Sequence, residues 1–171
     1  MKTMTSSEAQ QWCRSHGIEL DPAADSAIVE PGTSTRFGIP KEASRQLWFC
    51  GVVESALQPW THCLLWTTAW GIWASSENWH LYYRLRQTYD DFRLMEDAPA
   101  HLFLKHERED LLSFIQLGLG AGWDMRLLTS DQSGRCFISH DEWAQFIFRD
   151  VLEAQKFAAE LKQAGLSQLA T

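Results

Sequence analysis

The sequence predicts a single α+β domain: a small, mainly antiparallel sheet with helices packed against it. Three observations carry that expectation. Residues 62–70 read as a strand that is apolar on both faces. Residues 123–129 and 135–138 flank the polar, glycine-ended run Ser130-Asp-Gln-Ser-Gly134 and read as a hairpin. The remaining patterned segments have helical spacing and recognisable start and stop signals. No linker divides residues 1–171, and there is no internal repeat.

Thr5 and Glu8 fit a capping box, in which each side chain satisfies a backbone amide of the other's turn. A helix over 5–17 then places Ala9, Trp12, Cys13 and His16 on one face, and Gly17 stops it. Asp21-Pro22 and Pro31-Gly32 mark turns, and Ile28 and Val29 suit a brief strand. Pro40 suits the first position of a helix over 40–57, where its missing amide is no loss. Ala43, Leu47, Cys50, Gly51 and Val53 are its expected buried residues, and Pro59 ends it.

The aromatic stretch follows. Five of the nine tryptophans (Trp60, Trp66, Trp70, Trp73, Trp79) fall within it. In the strand 62–70, His62, Leu64, Trp66, Thr68 and Trp70 share one face, and Cys63, Leu65, Thr67 and Ala69 the other. Ala74-Ser75-Ser76 interrupts the run. A serine cap and the first-turn acid Glu77 favour a helix over 76–90, with Asn78, Leu81, Tyr82, Leu85 and Tyr89 on one face. Trp79, Leu81, Tyr83 and Leu85 also alternate, so a return strand is the rival reading.

Ala98-Pro99 is a turn, and 101–105 suits a short strand. Glu107, Glu109 and Asp110 load the start of the next helix, whose apolar face is Leu111, Leu112, Phe114, Ile115 and Leu119. Gly118, Gly120 and Gly122 end it. Ser139 and Glu142 fit a second capping box. Trp143, Ile147, Val151, Ala154, Ala158 and Leu161 then form one helical stripe that stops near Gly165, leaving a short tail 166–171. Residues 143–148 fit a strand as well, in which case the helix starts near Asp150.

The net charge of −7 argues against nucleic acid and anionic membrane as partners, since both demand positive charge. Cys13, Cys50, Cys63 and Cys136 match no zinc spacing, and MKTMTSSEAQ lacks the apolar core of a signal peptide. Reduced cysteines and a cytoplasmic location are expected. No apolar run reaches the ~20 residues that span a bilayer.

Little here points to catalysis. There is no GxxxxGK[ST], GxGxxG or GxSxG. His62 and Cys63 point to opposite faces of a strand. Ser139-His140-Asp141 contains the triad residue types, but consecutive positions cannot orient one another in series. Glu77 and His80 share a helix face, without the second pair a di-metal site needs. Arg84, Arg86 and Arg93 are expected to pair with Asp90 and Asp91 in solvent. No metal or cofactor is expected.

The function this sequence predicts is a non-catalytic interaction or regulatory module, antitoxin-like or immunity-like in role. Its recognition surface comprises Trp73, Glu77, Asn78, Trp79, His80, Tyr82 and Tyr83. Indoles and phenols at a rim offer large contact area with a polar handle. The partner is an unidentified protein, basic if charge steers the encounter, or else a small ligand. The alternative is a small-molecule enzyme using Glu77, His80, His140 and Asp141.

Overall fold

A computed structural model describes residues 1–20, 33–70 and 79–170. Its strands are β1 (Lys2–Met4), β2 (Ser34–Gly38), β3 (His62–Ala69), β4 (Ala100–Leu104), β5 (Asp124–Thr129), β6 (Gly134–Ser139), β7 (Trp143–Phe148) and β8 (Gln168–Leu169). Its helices are α1 (Ser6–Ser15), α2 (Ala43–Ala56), α3 (Trp79–Gln87), α4 (Arg108–Ala121) and α5 (Val151–Gln163). The strands form one open sheet in the order β1-β4-β3-β5-β6-β7-β2-β8, with every pairing antiparallel. The chain is thus α+β, as its patterning predicts.

The sheet is covered unequally. The larger core lies on one face, where Cys63, Leu65, Phe103, Met125, Leu127, Cys136, Ile138, Ala144 and Phe146 meet apolar residues of α2, α3, α4 and α5. On the other face Leu64, Trp66, Ala100 and Leu128 pack with Ala9 and Cys13 of α1 and with Ile18. This two-sided covering is why β3 is apolar on both faces: Cys63 through Thr67 are all buried.

The capping box of α1 forms as expected. Glu8 N–H donates to Thr5 Oγ1 at 3.2 Å, and Thr5 N–H donates to Glu8 Oε2 at 2.7 Å. At the far end of α4, Gly122 adopts φ 65°, the left-handed cap only glycine takes without strain. Gly134 marks a close approach: a Cβ there would lie 2.5 Å from the Ala56 carbonyl oxygen at the end of α2.

Several expectations need correction. Ser139 caps no helix. It ends β6, and Ser139 to Trp143 form the hairpin into β7, with Glu142 N–H bonded to the Ser139 carbonyl. Residues 143–148 satisfied both periods, and pairing decides between them, because β7 is hydrogen-bonded to β6 on one edge and β2 on the other. The last helix begins at Val151, capped by Asp150, whose carboxylate accepts from Glu153 N–H at 2.8 Å. Helix α2 starts at Ala43, not Pro40, and Leu47 is 54% exposed, because Phe49, Cys50 and Val53 take the inward positions. Residues 79–87 are helical, which excludes a return strand there. Strands β1, β2 and β8 had no place in the expected sheet. The brief strand expected at Ile28 and Val29 lies outside the described residues.

Asp150→Ala should cost about 1 kcal/mol of stability through loss of the α5 cap. Urea unfolding measures it. An effect indistinguishable from zero would contradict this placement of the helix start.

Candidate functional site

The aromatic segment enters the core through α3. Tyr82 is fully buried, packed edge-on against Trp70, Phe114 and Trp123. It therefore cannot contact a partner at the surface, which removes it from the expected recognition set. A half-buried Tyr83 places its hydroxyl 3.2 Å from Met95 N–H, which donates to it. Trp79 is half-buried against the main core, and only His80 of the four is exposed. Trp73, Glu77 and Asn78 lie outside the described residues.

Beneath Tyr82 is a buried polar chain. Arg86 Nη1 donates to Tyr82 Oη at 3.5 Å, and Tyr82 Oη lies 3.0 Å from Nε2 of the buried His101. An arginine can only donate, so the Tyr82 oxygen accepts from Arg86, and its second hydrogen bond is the one it shares with Nε2 of the neutral imidazole. Burial, and then the Arg86 charge, push His101 down to about 3, which keeps it neutral.

Arg86 itself has no solvent exposure, and its Nη2 donates to Asp91 Oδ1 at 2.8 Å. The expected solvated pair is thus a buried one. Asp91 lies just past the helix end, where the turn folds its carboxylate back over α3. The same Oδ1 accepts from Arg93 N–H at 3.0 Å, and Oδ2 accepts from Arg93 Nε at 3.1 Å and from its Nη2. Burial alone would raise the Asp91 carboxyl. The hydrogen bonds from Arg93 and Arg86 outweigh burial and hold it well below the usual carboxylate range. Arg93 Nη2 also donates to the Thr3 carbonyl of β1 at 3.0 Å.

These bonds fix the inner side of the segment from 88 to 98. Its outer side carries two exposed apolar residues among charged ones. Phe92 is 71% exposed and Leu94 63%. Leu81 of α3 is exposed too, as are the acids Asp90, Glu96 and Asp97 and the bases Arg84 and Arg93. Sequence reasoning missed Phe92 and Leu94, though one signal was present: Phe92, Leu94 and Met95 are large apolar residues set in the charged run 90–97.

The alternative polar site lies elsewhere. His140 and Asp141 occupy the β6–β7 turn, with His140 Nε2 3.5 Å from Asp141 Oδ1. Ser139 Oγ accepts from Asp141 N–H at 3.2 Å, a turn contact and not a relay. The group that orients His140 is Asp124: one oxygen accepts from His140 N–H at 2.6 Å and lies 2.9 Å from Nδ1. Asp124 was also missed. The hairpin register, with Met125 opposite Ile138, is what carries it beside the turn. His140 lines a cleft of about 290 Å³ between the turn, residues 39–41 and the glycine-rich end of α4. His80 is not among the residues lining that cleft. Among the described residues no group of three or more His, Cys, Asp or Glu could hold a metal ion, and no helix is long and apolar enough to cross a membrane.

The pH dependence of stability follows from His101. Its folded value, near 3, lies below its ordinary value of 6.5. The unfolded chain therefore binds a proton that the folded chain refuses, and stability falls as pH drops from 6.5 towards 3. Asp91, also depressed, adds a loss that begins only within the ordinary carboxylate range, about 4. Melting at about pH 7 and about pH 5 isolates His101. The wild type should lose stability across that interval, and His101→Gln should lose less. Equal losses would contradict a buried neutral imidazole.

No family model, curated protein or solved structure matches this chain, so only its own residues and geometry bear on what it does.

Proposed function

We propose that this protein is a non-catalytic interaction or regulatory module, antitoxin-like or immunity-like in role, that recognises a basic protein partner in the cytoplasm. The observation that carries this reading is Phe92 and Leu94, 71% and 63% exposed, on a segment whose inner side is tied down by the buried Arg86–Asp91 pair. Apolar side chains held rigidly in solvent are primed to bury against a partner, because little conformational entropy remains to be lost. The neighbouring exposed acids Asp90, Glu96 and Asp97, in a chain of net charge −7, favour a partner that carries positive charge beside its apolar contact and disfavour nucleic acid. Free cysteines at positions 13, 50, 63 and 136 suit a reducing compartment.

A second reading has one specific observation behind it. Asp124 orients His140 at a cleft, as a general base must be oriented. This supports a small-molecule enzyme using His140, with Asp141 beside it.

The double variant Phe92→Ser/Leu94→Ser separates the two. Its stability should stay within about 0.5 kcal/mol of wild type, as for most surface substitutions. In quantitative affinity capture from the native host, a basic protein retained by the wild type should be reduced about tenfold or more. Identical retention by both proteins would contradict the proposed surface. Loss of a turnover activity on His140→Ala, with capture unchanged, would favour the enzyme.

A further inference from the structure

Three side-chain polar atoms lie buried without a hydrogen-bond partner where β1, β4 and α3 meet: Thr3 Oγ1, His101 Nδ1 and Arg86 Nε. His101 and Arg86 have no exposure, and Thr3 has 8%. Buried polar atoms are nearly always paired, with protein or with ordered water, so three orphans at one joint call for an explanation.

The β1–β4 register brings two of them together. Thr3 stands directly opposite His101. Residues so paired project from the same face of the sheet, with β-carbons roughly 4.5–5.5 Å apart. That face is the one α3 covers, because Tyr82 Oη lies 3.0 Å from His101 Nε2. Arg86 follows one turn further along α3, and its Nη1 lies 3.5 Å from the same Tyr82 oxygen. Arg86 is tied back to Thr3 as well. Asp91, bonded to Arg86 Nη2, also binds Arg93, whose Nη2 holds the Thr3 carbonyl. A closed circuit of contacts thus passes through Thr3, His101 and Arg86. Thr67 Oγ1 is orphaned too, but it stands two residues along β3 from Leu65, the residue opposite His101, and falls outside that circuit.

The three atoms discriminate among occupants. An arginine Nε only donates, so the occupant must accept there, which excludes a metal cation. His101 is neutral, since burial pushes it down to about 3, and its ring carries one proton. Tyr82 shares Nε2 whichever nitrogen bears that proton, so Nδ1 donates in one tautomer and accepts in the other. Water answers either, and the Thr3 hydroxyl rotates to suit. An anion only accepts, and it would sit close to the Asp91 carboxylate that Arg86 already holds at 2.8 Å. A buried water typically makes about three hydrogen bonds to otherwise unsatisfied groups, which matches the three atoms available.

We propose that a single buried water molecule bridges Thr3 Oγ1, His101 Nδ1 and Arg86 Nε. It couples the edge strand β1 to α3 by a second route, beside the Arg93 bond to the Thr3 carbonyl. The site is closed to solvent and separate from the exposed side chains of Phe92 and Leu94.

A high-resolution crystal structure of the full chain, with a second crystal soaked in sodium bromide, tests this. One non-protein density peak should lie within roughly 2.7–3.2 Å of all three atoms, refine as water and give no anomalous signal after the soak. Empty density between the three atoms would overturn the proposal. So would a bromide signal there, which would make the site an anion site. Side chains turned so that each atom meets a partner within the protein would overturn it as well.

Discussion

Arg86 carries a full positive charge with no exposure to water. Removing such a group from solvent costs several kcal/mol even after the protein relaxes around it, and only close, well-oriented partners offset that. Asp91 at 2.8 Å is the principal one, and the Tyr82 hydroxyl takes a weaker share. The carboxylate does more than neutralise Arg86. It also binds Arg93, whose guanidinium holds the Thr3 carbonyl at the edge of the sheet. One buried carboxylate thereby joins α3, the segment after it and β1. Replacing the pair with apolar residues of similar volume could leave stability unchanged. What such residues lack is direction, and direction is what sets the course of the chain from 88 to 98.

The surface properties of that segment follow from its buried side. With Asp91 and Met95 turned inward, Phe92, Arg93 and Leu94 between them face water. The Tyr83 hydroxyl on Met95 N–H and the Asp91 carboxylate on Arg93 N–H satisfy backbone donors that a free loop would give to solvent. The aromatic wealth of the neighbouring chain serves a different end. Trp70, Tyr82 and Trp123 interlock edge-to-face inside the core and anchor α3. Recognition, on this account, belongs to two isolated apolar residues and not to the tryptophan cluster.

Much of the fold was legible because its signals are local. The Thr5–Glu8 box, the two-faced apolar strand β3, the 123–138 hairpin and the acid-loaded start of α4 each announce themselves within a few residues. Where distant pairing decides, the same reasoning fails. Residues 143–148 fit two periods, and only the edges of β6 and β2 select the strand. Strands β1 and β8 have three and two residues and exist through their neighbours. The site was less legible still. Helix spacing marks where Arg86 lies but not that Asp91 folds back to meet it, so a buried pair looks like two solvated charges. Asp124 reads as an ordinary strand residue until the hairpin register carries it to His140. Trp79 and Tyr82 drew attention by residue type, yet large aromatics are usually best explained by the core they fill.

The central claim is that the Arg86–Asp91 pair makes residues 88–98 a rigid platform. Native-state hydrogen exchange at single-residue resolution tests it directly. Asp91, Arg93 and Met95 N–H groups donate to the Arg86 carbonyl, the Asp91 carboxylate and the Tyr83 hydroxyl. They should therefore be protected nearly as strongly as β3 and slow together with α3, as one cooperative unit. Exchange of these three amides at the rates of an open loop, while α3 remains protected, would contradict the account.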